Sequence, residues 1–174
     1  MTVPPRVAVI TVSDACAAGT RADESGDLVA RRMESLPARV VSRRVVADSV
    51  ADIRAALAAA LVGGDCIILT GGTGLGPRDV TPQAVRTLLD YEIPGMSEAM
   101  RAAGLRHTPH AMLSRQIVGA VRGRLVIALP GSAKAVAECL DVLWDALPHA
   151  LQLLRGDTSH GPQERGPAEP AQGV

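Results

Sequence analysis

Short apolar runs that end in polar residues recur along the first part of the chain and predict strands. The run 7–12 (VAVITV) leads into a Ser-Asp pair, and the run 65–70 (DCIILT) leads directly into glycines. A third strand is predicted over 40–46, which leads into Ala-Asp. Uninterrupted aliphatic and β-branched runs of this length are typical of strands that helices cover on both faces. We therefore expect buried, parallel strands.

Helical periodicity fills the segments between these strands. Apolar residues recur at helical spacing over 27–36, and we interpret Ser25 as the cap of that helix. Ser49 is predicted to cap an alanine-rich helix that ends at a Gly-Gly pair. Thr81 is predicted to cap a further helix, with Pro82 in its first turn.

The second half of the chain adds helices and a hairpin. Helices are predicted over 96–103, 110–113 and 134–147, and a hairpin over 116–121 and 125–129. Strands alternating with helices favour a three-layer α/β/α sandwich with a mainly parallel sheet.

The end of the chain has a different composition. Residues 157–174 are rich in Pro and Gly and poor in apolar side chains, which predicts a disordered C-terminal tail. We assign residues 1–156 to one domain.

Composition excludes several classes of function. Of the 174 residues, 47% are hydrophobic, but none is Phe, and Lys plus Arg equals Asp plus Glu at 18 each. Without a basic field, and with one Tyr and one Trp as the remaining aromatics, nucleic-acid and anionic-membrane binding are not expected. Three widely spaced cysteines fit reduced thiols better than a disulfide framework. No signal peptide or membrane-spanning run is apparent, so we expect a cytoplasmic protein.

Polar clusters follow the predicted strands and are expected to meet at one edge of the sheet. The glycine run 71–76 (GGTGLG) can direct several backbone N–H groups at a phosphate, although such a loop can equally be structural. It lacks the ending of a Walker loop and the third glycine of a dinucleotide fingerprint. The candidate binding residues at this edge are Ser13, Asp14, Gly71, Gly72, Thr73, Gly74, Pro130, Gly131 and Ser132.

Two acids, Asp48 and Asp79, follow different predicted strands at this edge. Either acid alone is best interpreted as a helix-capping or dipole-complementing residue. Together, and beside a glycine loop, they favour a Mg²⁺ site that bridges nucleotide phosphates. We therefore predict that Asp48 and Asp79 are both metal ligands and catalytic residues.

The remaining candidates are weaker. Lys134 is the single lysine among 18 basic residues and begins a predicted helix, which favours an anion-binding role over coincidence only slightly. Ser114 and Arg115 precede the hairpin and can reach the same edge. His107 and His110 have no further ligand nearby in sequence, and Cys16 has no His partner, so neither a zinc site nor a thiol nucleophile is favoured.

These motifs resemble those of the MogA/MoaB-type molybdopterin-binding family, which includes molybdopterin adenylyltransferases. The resemblance covers about residues 6–155, in the expected order. Two positions depart from the family pattern: Ala133 stands where Pro is usual, and Gln83 where Glu is common. The motifs are TVSD at 11–14, SG at 25–26, TGGTGLGPRDVTPQA at 70–84, PGMSEAMR at 94–101, MLSR at 112–115 and LPGSAKAV at 129–136.

The resemblance implies an enzyme of molybdenum cofactor synthesis that uses Mg²⁺, ATP and molybdopterin and releases pyrophosphate. It also implies a homotrimer and hand-over of the product to a molybdenum insertase. Asp48 and Asp79 would be the essential acids, and 71–74 would line the nucleotide site. The residues that it places around the pterin or the nucleotide are Ser13, Asp14, Ser25, Ser114, Ser132 and Lys134.

Three alternatives remain beside the adenylyltransferase. The first is a family member that binds molybdopterin without catalysis, against which the presence of Asp48 and Asp79 argues. The second is a trimeric carrier that passes the cofactor to partners. The third is a generic nucleotide-binding α/β protein, which the ordered set of motifs disfavours.

Overall fold

A single six-stranded sheet lies between two layers of helices in the computed structural model, which describes residues 3–157. The strands are β1 (Arg6–Val12), β2 (Arg39–Val46), β3 (Cys66–Thr70), β4 (Tyr91–Glu92), β5 (Ile117–Val121) and β6 (Arg124–Leu129). The helices are α1 (Asp14–Ala17), α2 (Glu24–Glu34), α3 (Val50–Gly63), α4 (Thr81–Arg86), α5 (Pro94–Leu105), α6 (Ala133–Leu143) and α7 (Ala146–Leu154), with a 3₁₀ turn at Pro109–Leu113.

The sheet has the strand order β2-β1-β3-β6-β5-β4. The pairs β1–β2, β1–β3 and β3–β6 are parallel, whereas β5 runs antiparallel to β6 and to β4. This confirms the three-layer, mainly parallel architecture. The carboxyl ends of β1, β2, β3 and β6 therefore share one edge, and β5 begins at that edge.

Alternation along the central strands divides the interior into two cores. Val7 and Val9 of β1 face one core, which α2, α6 and α7 cover. Ala8 and Ile10 face the other core, which α3 and α4 cover. Because successive strand residues point to opposite faces, a strand covered on both sides is apolar throughout. Among residues 3–157, no helix is both long enough and apolar enough to cross a bilayer.

The predicted hairpin is present and is closed by a two-residue turn. Arg122 and Gly123 both have positive φ, at 49° and 72°. Two successive left-handed residues give the turn whose twist matches that of paired antiparallel strands.

Two predicted helix caps are wrong. The side chain of Asp23, not Ser25, accepts the N–H of Gly26 at 2.9 Å, so α2 begins one residue before Ser25. Thr81 lies inside α4, and its hydroxyl donates to the carbonyl of Gly71 at 2.8 Å. Thr81 thus has the composition of a cap but contacts a different partner, and the hydroxyl of Ser25 forms no hydrogen bond within residues 3–157. The Ser49 cap of α3 is confirmed.

Other boundaries also differ from the prediction. The last predicted helix is two helices, α6 and α7, and the sequence analysis missed the short elements α1 and β4. Four and two residues are too few to show a periodic pattern. Except for Asp157, the predicted tail over 157–174 lies outside the described residues.

An ion-pair cluster closes the opposite edge of the sheet. Asp65 accepts the backbone N–H of Arg6 at 2.8 Å and pairs with the guanidinium groups of Arg6 and Arg155. Arg155 also donates to the carbonyl of Val3 at 2.8 Å. Burial acts to raise the pKa of Asp65, but the bonds and charges of the two arginines outweigh it and lower the pKa from 3.8 to about 2. The cluster ties β1, β3 and the end of α7 together.

We expect Asp65→Asn to reduce the free energy of unfolding by about 1 to 2 kcal/mol at neutral pH. Because the folded pKa is lowered, the contribution is complete above 3.8 and is lost as the pH falls towards 2. The difference between variant and wild type in denaturant titrations should therefore shrink below about pH 4. Asp52→Asn, at an exposed site on α3, is the control. A difference that does not change with pH would contradict the ion-pair account.

Candidate functional site

A polar cleft of about 350 Å³ lies at the carboxyl edge of the parallel strands. Its walls come from the end of β1, from the segments that follow β1, β2, β3 and β6, and from the first turn of α2. This convergence is the one expected at the edge of a parallel sheet. The lining residues are Thr11, Val12, Ser13, Arg21, Ser25, Asp48, Gly71, Gly72, Asp79, Gly131 and Ser132.

The glycine loop, residues 71–76, follows β3 and has a left-handed start. Gly71 and Gly72 have φ values of 101° and 62°. A Cβ atom on Gly71 would lie 2.2 Å from the carbonyl oxygen of Val12, so only glycine fits there. Thr81 holds the turn from the other side, because its hydroxyl donates to Gly71 and its N–H donates to the carbonyl of Gly72 at 3.0 Å.

Arg115 holds the far end of the glycine loop. Its Nε donates to the carbonyl of Gly74 at 2.7 Å, its guanidinium also donates to the carbonyl of Asp79, and its N–H donates to the carbonyl of Thr73 at 2.8 Å. Arg115 can reach the loop because it lies just before β5, and antiparallel β5 begins at the same edge of the sheet as the loop. The loop is thereby fixed by side chains from outside its own segment.

Asp14 and Asp48 join the ends of β1 and β2 through two reciprocal hydrogen bonds. The N–H of Asp14 donates to Asp48 Oδ2 at 2.8 Å, and the N–H of Asp48 donates to Asp14 Oδ1 at 3.0 Å. The guanidinium of Arg78 binds both oxygens of Asp14 at 2.8 to 3.0 Å. The bond from Asp48, followed by the bonds from Arg78, lowers the pKa of Asp14. Both carboxylate oxygens of Asp14 are therefore occupied.

Asp48 and Asp79 each keep one oxygen without a donor. Asp79 Oδ2 accepts the N–H of Gly76 at 2.8 Å, and Asp48 Oδ2 accepts from Asp14. Within residues 3–157, neither Oδ1 atom has a hydrogen-bond partner. A Cβ atom on Gly72 would lie 3.2 Å from Asp48 Oδ1, so the absent side chain leaves space beside this oxygen.

This donor set fits Mg²⁺. The described part of the chain has no cluster of three or more His, Cys, Asp or Glu residues that could hold a metal. Mg²⁺ is commonly held by one or two carboxylates and completes its shell with water and substrate phosphates. Asp48 and Asp79 line the same cleft and can supply the two carboxylates.

Comparison with known proteins identifies the family. Residues 8–149 match the family described as "Probable molybdopterin binding domain". The chain belongs to this molybdopterin-binding family. Its MogA/MoaB-type members take part in molybdenum cofactor biosynthesis, and the resemblance seen in the motifs is confirmed.

Relatives of the chain include a molybdenum cofactor biosynthesis bifunctional protein from Synechococcus elongatus, 46% identical over 154 residues, which are 88% of this chain and 48% of that protein. A molybdopterin adenylyltransferase from Pyrococcus furiosus is 34% identical over 152 residues, 84% of this chain and 89% of that protein. The crystal structure of the molybdopterin biosynthesis enzyme MoaB from Thermus thermophilus is 42% identical, with a TM-score of 0.82, over 87% of this chain and 97% of that one.

The chain spans about half the length of the bifunctional relatives that it matches, at 48% and 49%. Its similarity to them therefore covers one portion of a longer protein. The adenylyltransferase from P. furiosus, by contrast, is matched over most of its length.

The structure brings most of the predicted residues of this family member to one place. Thr73 is buried in the glycine loop beside Gly74, and Asp14 adjoins Asp48. The carbonyl of Pro130 accepts the hydroxyl of Thr70 at 2.6 Å, which is a contact between strand ends. The predicted residues that line the cleft are Ser13, Ser25, Asp48, Gly71, Gly72, Asp79, Gly131 and Ser132.

Six predicted residues lie outside this lining: Asp14, Thr73, Gly74 and Pro130, described above, and Lys134 and Ser114. Lys134 is exposed on the first turn of α6. Ser114 is half-buried next to Arg115, and its hydroxyl has no partner within residues 3–157. Binding roles for Lys134 and Ser114 stay predictions.

Sequence reasoning missed Arg21, whose guanidinium donates to the hydroxyl of Ser13 at 2.8 Å on the cleft wall. No strand end, glycine or helical pattern marks this position, because it lies in the irregular segment before α2. It also missed the structural roles of Arg78 and Arg115. The signal for Arg78 was its place directly before Asp79 in the glycine motif.

We expect Gly71→Ala to lower the free energy of unfolding by about 3 kcal/mol or more, because the added methyl group meets backbone atoms that cannot move aside. Gly19→Ala is the matched control, since Gly19 also has a positive φ, 70°, but open space around its Cβ position. Thermal or denaturant unfolding compares the two. Equal losses of unfolding free energy in the two variants would show that glycine is required at position 71 because of its positive φ and not because of the close approach to Val12.

Proposed function

We propose that this protein transfers the adenylyl group of ATP to molybdopterin and releases pyrophosphate, with Mg²⁺ as its cofactor. The observation that carries the proposal is the arrangement of Asp48 and Asp79, which follow separate strands, line one cleft and each retain an oxygen without a donor among residues 3–157. Similarity to the molybdopterin adenylyltransferase from P. furiosus also supports it.

The glycine loop is suited to hold phosphate groups in this reaction. Within residues 3–157, the N–H groups of Gly72, Thr73 and Gly74 donate to no protein acceptor. Successive free amides in a loop that other residues fix in place form a preorganised set of donors for phosphate oxygens. Arg115 and Thr81 supply that fixation from outside the loop.

Adenylyl transfer requires little covalent participation by the protein. An oxygen of the terminal phosphate of molybdopterin would attack the α-phosphorus of ATP, and the bond from that phosphorus to the oxygen of the departing pyrophosphate would break. Mg²⁺, held by Asp48 and Asp79, would offset negative charge on the phosphates. The chain contributes position, charge and exclusion of competing water.

Arg78 has a supporting role in this proposal. Arg78 binds both oxygens of Asp14 and so neutralises the negative charge of this third carboxylate, which would otherwise act on the metal and the phosphates. A negative carboxylate that is paired in this way repels a nucleotide less than an unpaired one. Pairing Asp14 in this way leaves Asp48 and Asp79 as the cleft acids that keep an oxygen without a donor within residues 3–157.

We expect Asp79→Asn and Asp48→Asn to reduce pyrophosphate release by at least about 100-fold while molybdopterin binding stays within about threefold. Asn keeps the size of the side chain but removes the charge that a metal requires. The assay measures pyrophosphate from purified protein with Mg²⁺, ATP and molybdopterin. Asp52→Asn, at an exposed position of α3, should release pyrophosphate at the wild-type rate.

Full activity in both cleft variants would show that Asp48 and Asp79 do not hold a metal that the reaction needs. A wild-type protein that binds molybdopterin but releases no pyrophosphate with any divalent metal would instead be a binding-only member of the family. The two outcomes are separable because binding and release are measured on the same preparations.

The proposal extends to a cytoplasmic homotrimer that can hand its product to a molybdenum insertase. An apolar surface supports assembly: Leu105 at the end of α5 and Met112 and Leu113 in the 3₁₀ turn are 45%, 63% and 48% exposed. Apolar side chains grouped on a surface favour a protein contact.

Sedimentation should give the mass of three chains of 18.0 kDa each. Met112→Asp should shift the protein towards a lower mass, because a charge placed in an apolar contact loses its hydration. Val62→Asp is the control and should sediment like wild type. Val62 is an apolar residue of α3, away from this surface, and is 81% exposed. A monomeric wild type would overturn the trimer.

A further inference from the structure

The cleft has two walls that differ in chemistry. Asp48 and Asp79 lie in the segments that lead into α3 and α4, which cover one face of the sheet. Opposite them, Ser25 lies in α2 and Ser132 caps α6, helices that cover the other face. We call the residues Arg21, Ser13, Ser25 and Ser132 the donor wall.

Arg21 is distinguished from the other arginines of this region by its partners. Arg78 is neutralised by Asp14, and Arg115 binds the carbonyl groups of the glycine loop. Arg21 donates to the neutral hydroxyl of Ser13 and, among residues 3–157, forms no ion pair. Since a guanidinium has five N–H donors, most of the hydrogen-bonding capacity of Arg21 remains available at the cleft.

The serines of the donor wall also present donors. The oxygen of Ser13 accepts from Arg21 and from the N–H of Cys16 at 3.2 Å, so its hydroxyl proton is left to donate. Ser132 accepts the N–H of Ala135 at 3.2 Å in the same way. Ser25 is 8% exposed, and its hydroxyl has no bond within the described residues. A group bound here must therefore accept hydrogen bonds and carry negative charge.

A metal-chelated triphosphate belongs at the other wall, beside the acids. The donor wall suits a second anion, one that no metal neutralises. In the proposed reaction that anion is the attacking phosphate, which is repelled by the triphosphate that it must approach. A guanidinium at the attacking phosphate lowers this repulsion.

We propose that Arg21 binds the terminal phosphate of molybdopterin, with the hydroxyls of Ser13, Ser25 and Ser132 as further donors. The identity of the ligand rests on the proposed function. Ser13 has a second task, because it caps α1 and so fixes the position of the Arg21 guanidinium. Arg21 is thus a substrate-binding residue on a segment that carries no recognisable motif.

The test compares molybdopterin with its dephosphorylated form by anaerobic titration of the pterin fluorescence. Arg21→Ala should weaken binding of molybdopterin by about 10- to 100-fold, the range for loss of a charge-assisted hydrogen bond. The same variant should bind the dephosphorylated compound within about twofold of wild type, because the partner of Arg21 is absent. Arg21→Lys should recover part of the loss, since it keeps the charge but not the fork of donors.

Arg31→Ala provides the matched control, since Arg31 is an exposed arginine on α2 that lies outside the cleft. It should bind all ligands as wild type does. Mg-ATP is titrated into the same variants and should bind Arg21→Ala within about twofold of wild type. That result would also show that the variant is folded.

Equal weakening of the phosphorylated and dephosphorylated compounds would overturn the proposal, and so would a loss confined to Mg-ATP. The latter would place the nucleotide at the donor wall. Because the titrations need no turnover, phosphate-dependent binding through Arg21 can hold in a protein that proves to release no pyrophosphate. Failure of the transferase proposal and failure of this one are therefore distinguishable.

Discussion

Direct contact between strand ends determines the shape of the cleft. Gly71 lies so close to Val12 that a Cβ atom would be 2.2 Å from its carbonyl oxygen, and a Cβ on Gly131 would be 3.3 Å from the Cα of Gly71. The hydroxyl of Thr70 bonds the carbonyl of Pro130 across the same region. The segments at the ends of β1, β3 and β6 thus approach each other at backbone distance, and a side-chain hydroxyl joins two of them. The glycine loop and the segments after β1 and β6 that line the cleft start from this junction.

The surroundings of Cys66 and Cys139 give these two thiols a structural role and not a catalytic one. Burial raises the pKa of Cys66 to about 12, and burial together with the charge of Glu138 raises the pKa of Cys139 to about 12. Thiols with such a pKa carry no thiolate at neutral pH and are poor nucleophiles. Both residues pack in the core between the sheet and α2, α6 and α7. This agrees with the sequence-based interpretation of buried, reduced cysteines.

The sequence could predict whatever depends on local pattern and strand polarity. The apolar runs of β1 and β3, the parallel sheet and the placement of Asp48 and Asp79 on one cleft all follow from residues in one run or from the rule that parallel strands end at one edge. The helix caps were predicted less well, because composition cannot tell which acceptor a hydroxyl will contact. Thr81 has the composition of a cap, yet it bonds a carbonyl ten residues away.

Contacts between distant segments were beyond the sequence. The chain has 17 arginines, since one of its 18 basic residues is lysine. Nothing in the sequence shows that Arg115 binds carbonyl groups of the glycine loop or that Arg78 binds the carboxylate of Asp14. Arg21 is the extreme case, since its position depends on the path of an irregular segment after α1. Site residues on loops without a repeating pattern are set by tertiary geometry.

The placement of acids and donors on opposite faces of the sheet has an evolutionary consequence. Asp48 and Asp79 depend on the packing of α3 and α4, whereas Ser25 and Ser132 depend on α2 and α6. Because each pair is supported by its own core, drift that erases one leaves the other intact. A lineage descended from such a fold can lose its chemistry in a single substitution and still recognise its ligand, ready to be recruited as a sensor or a store.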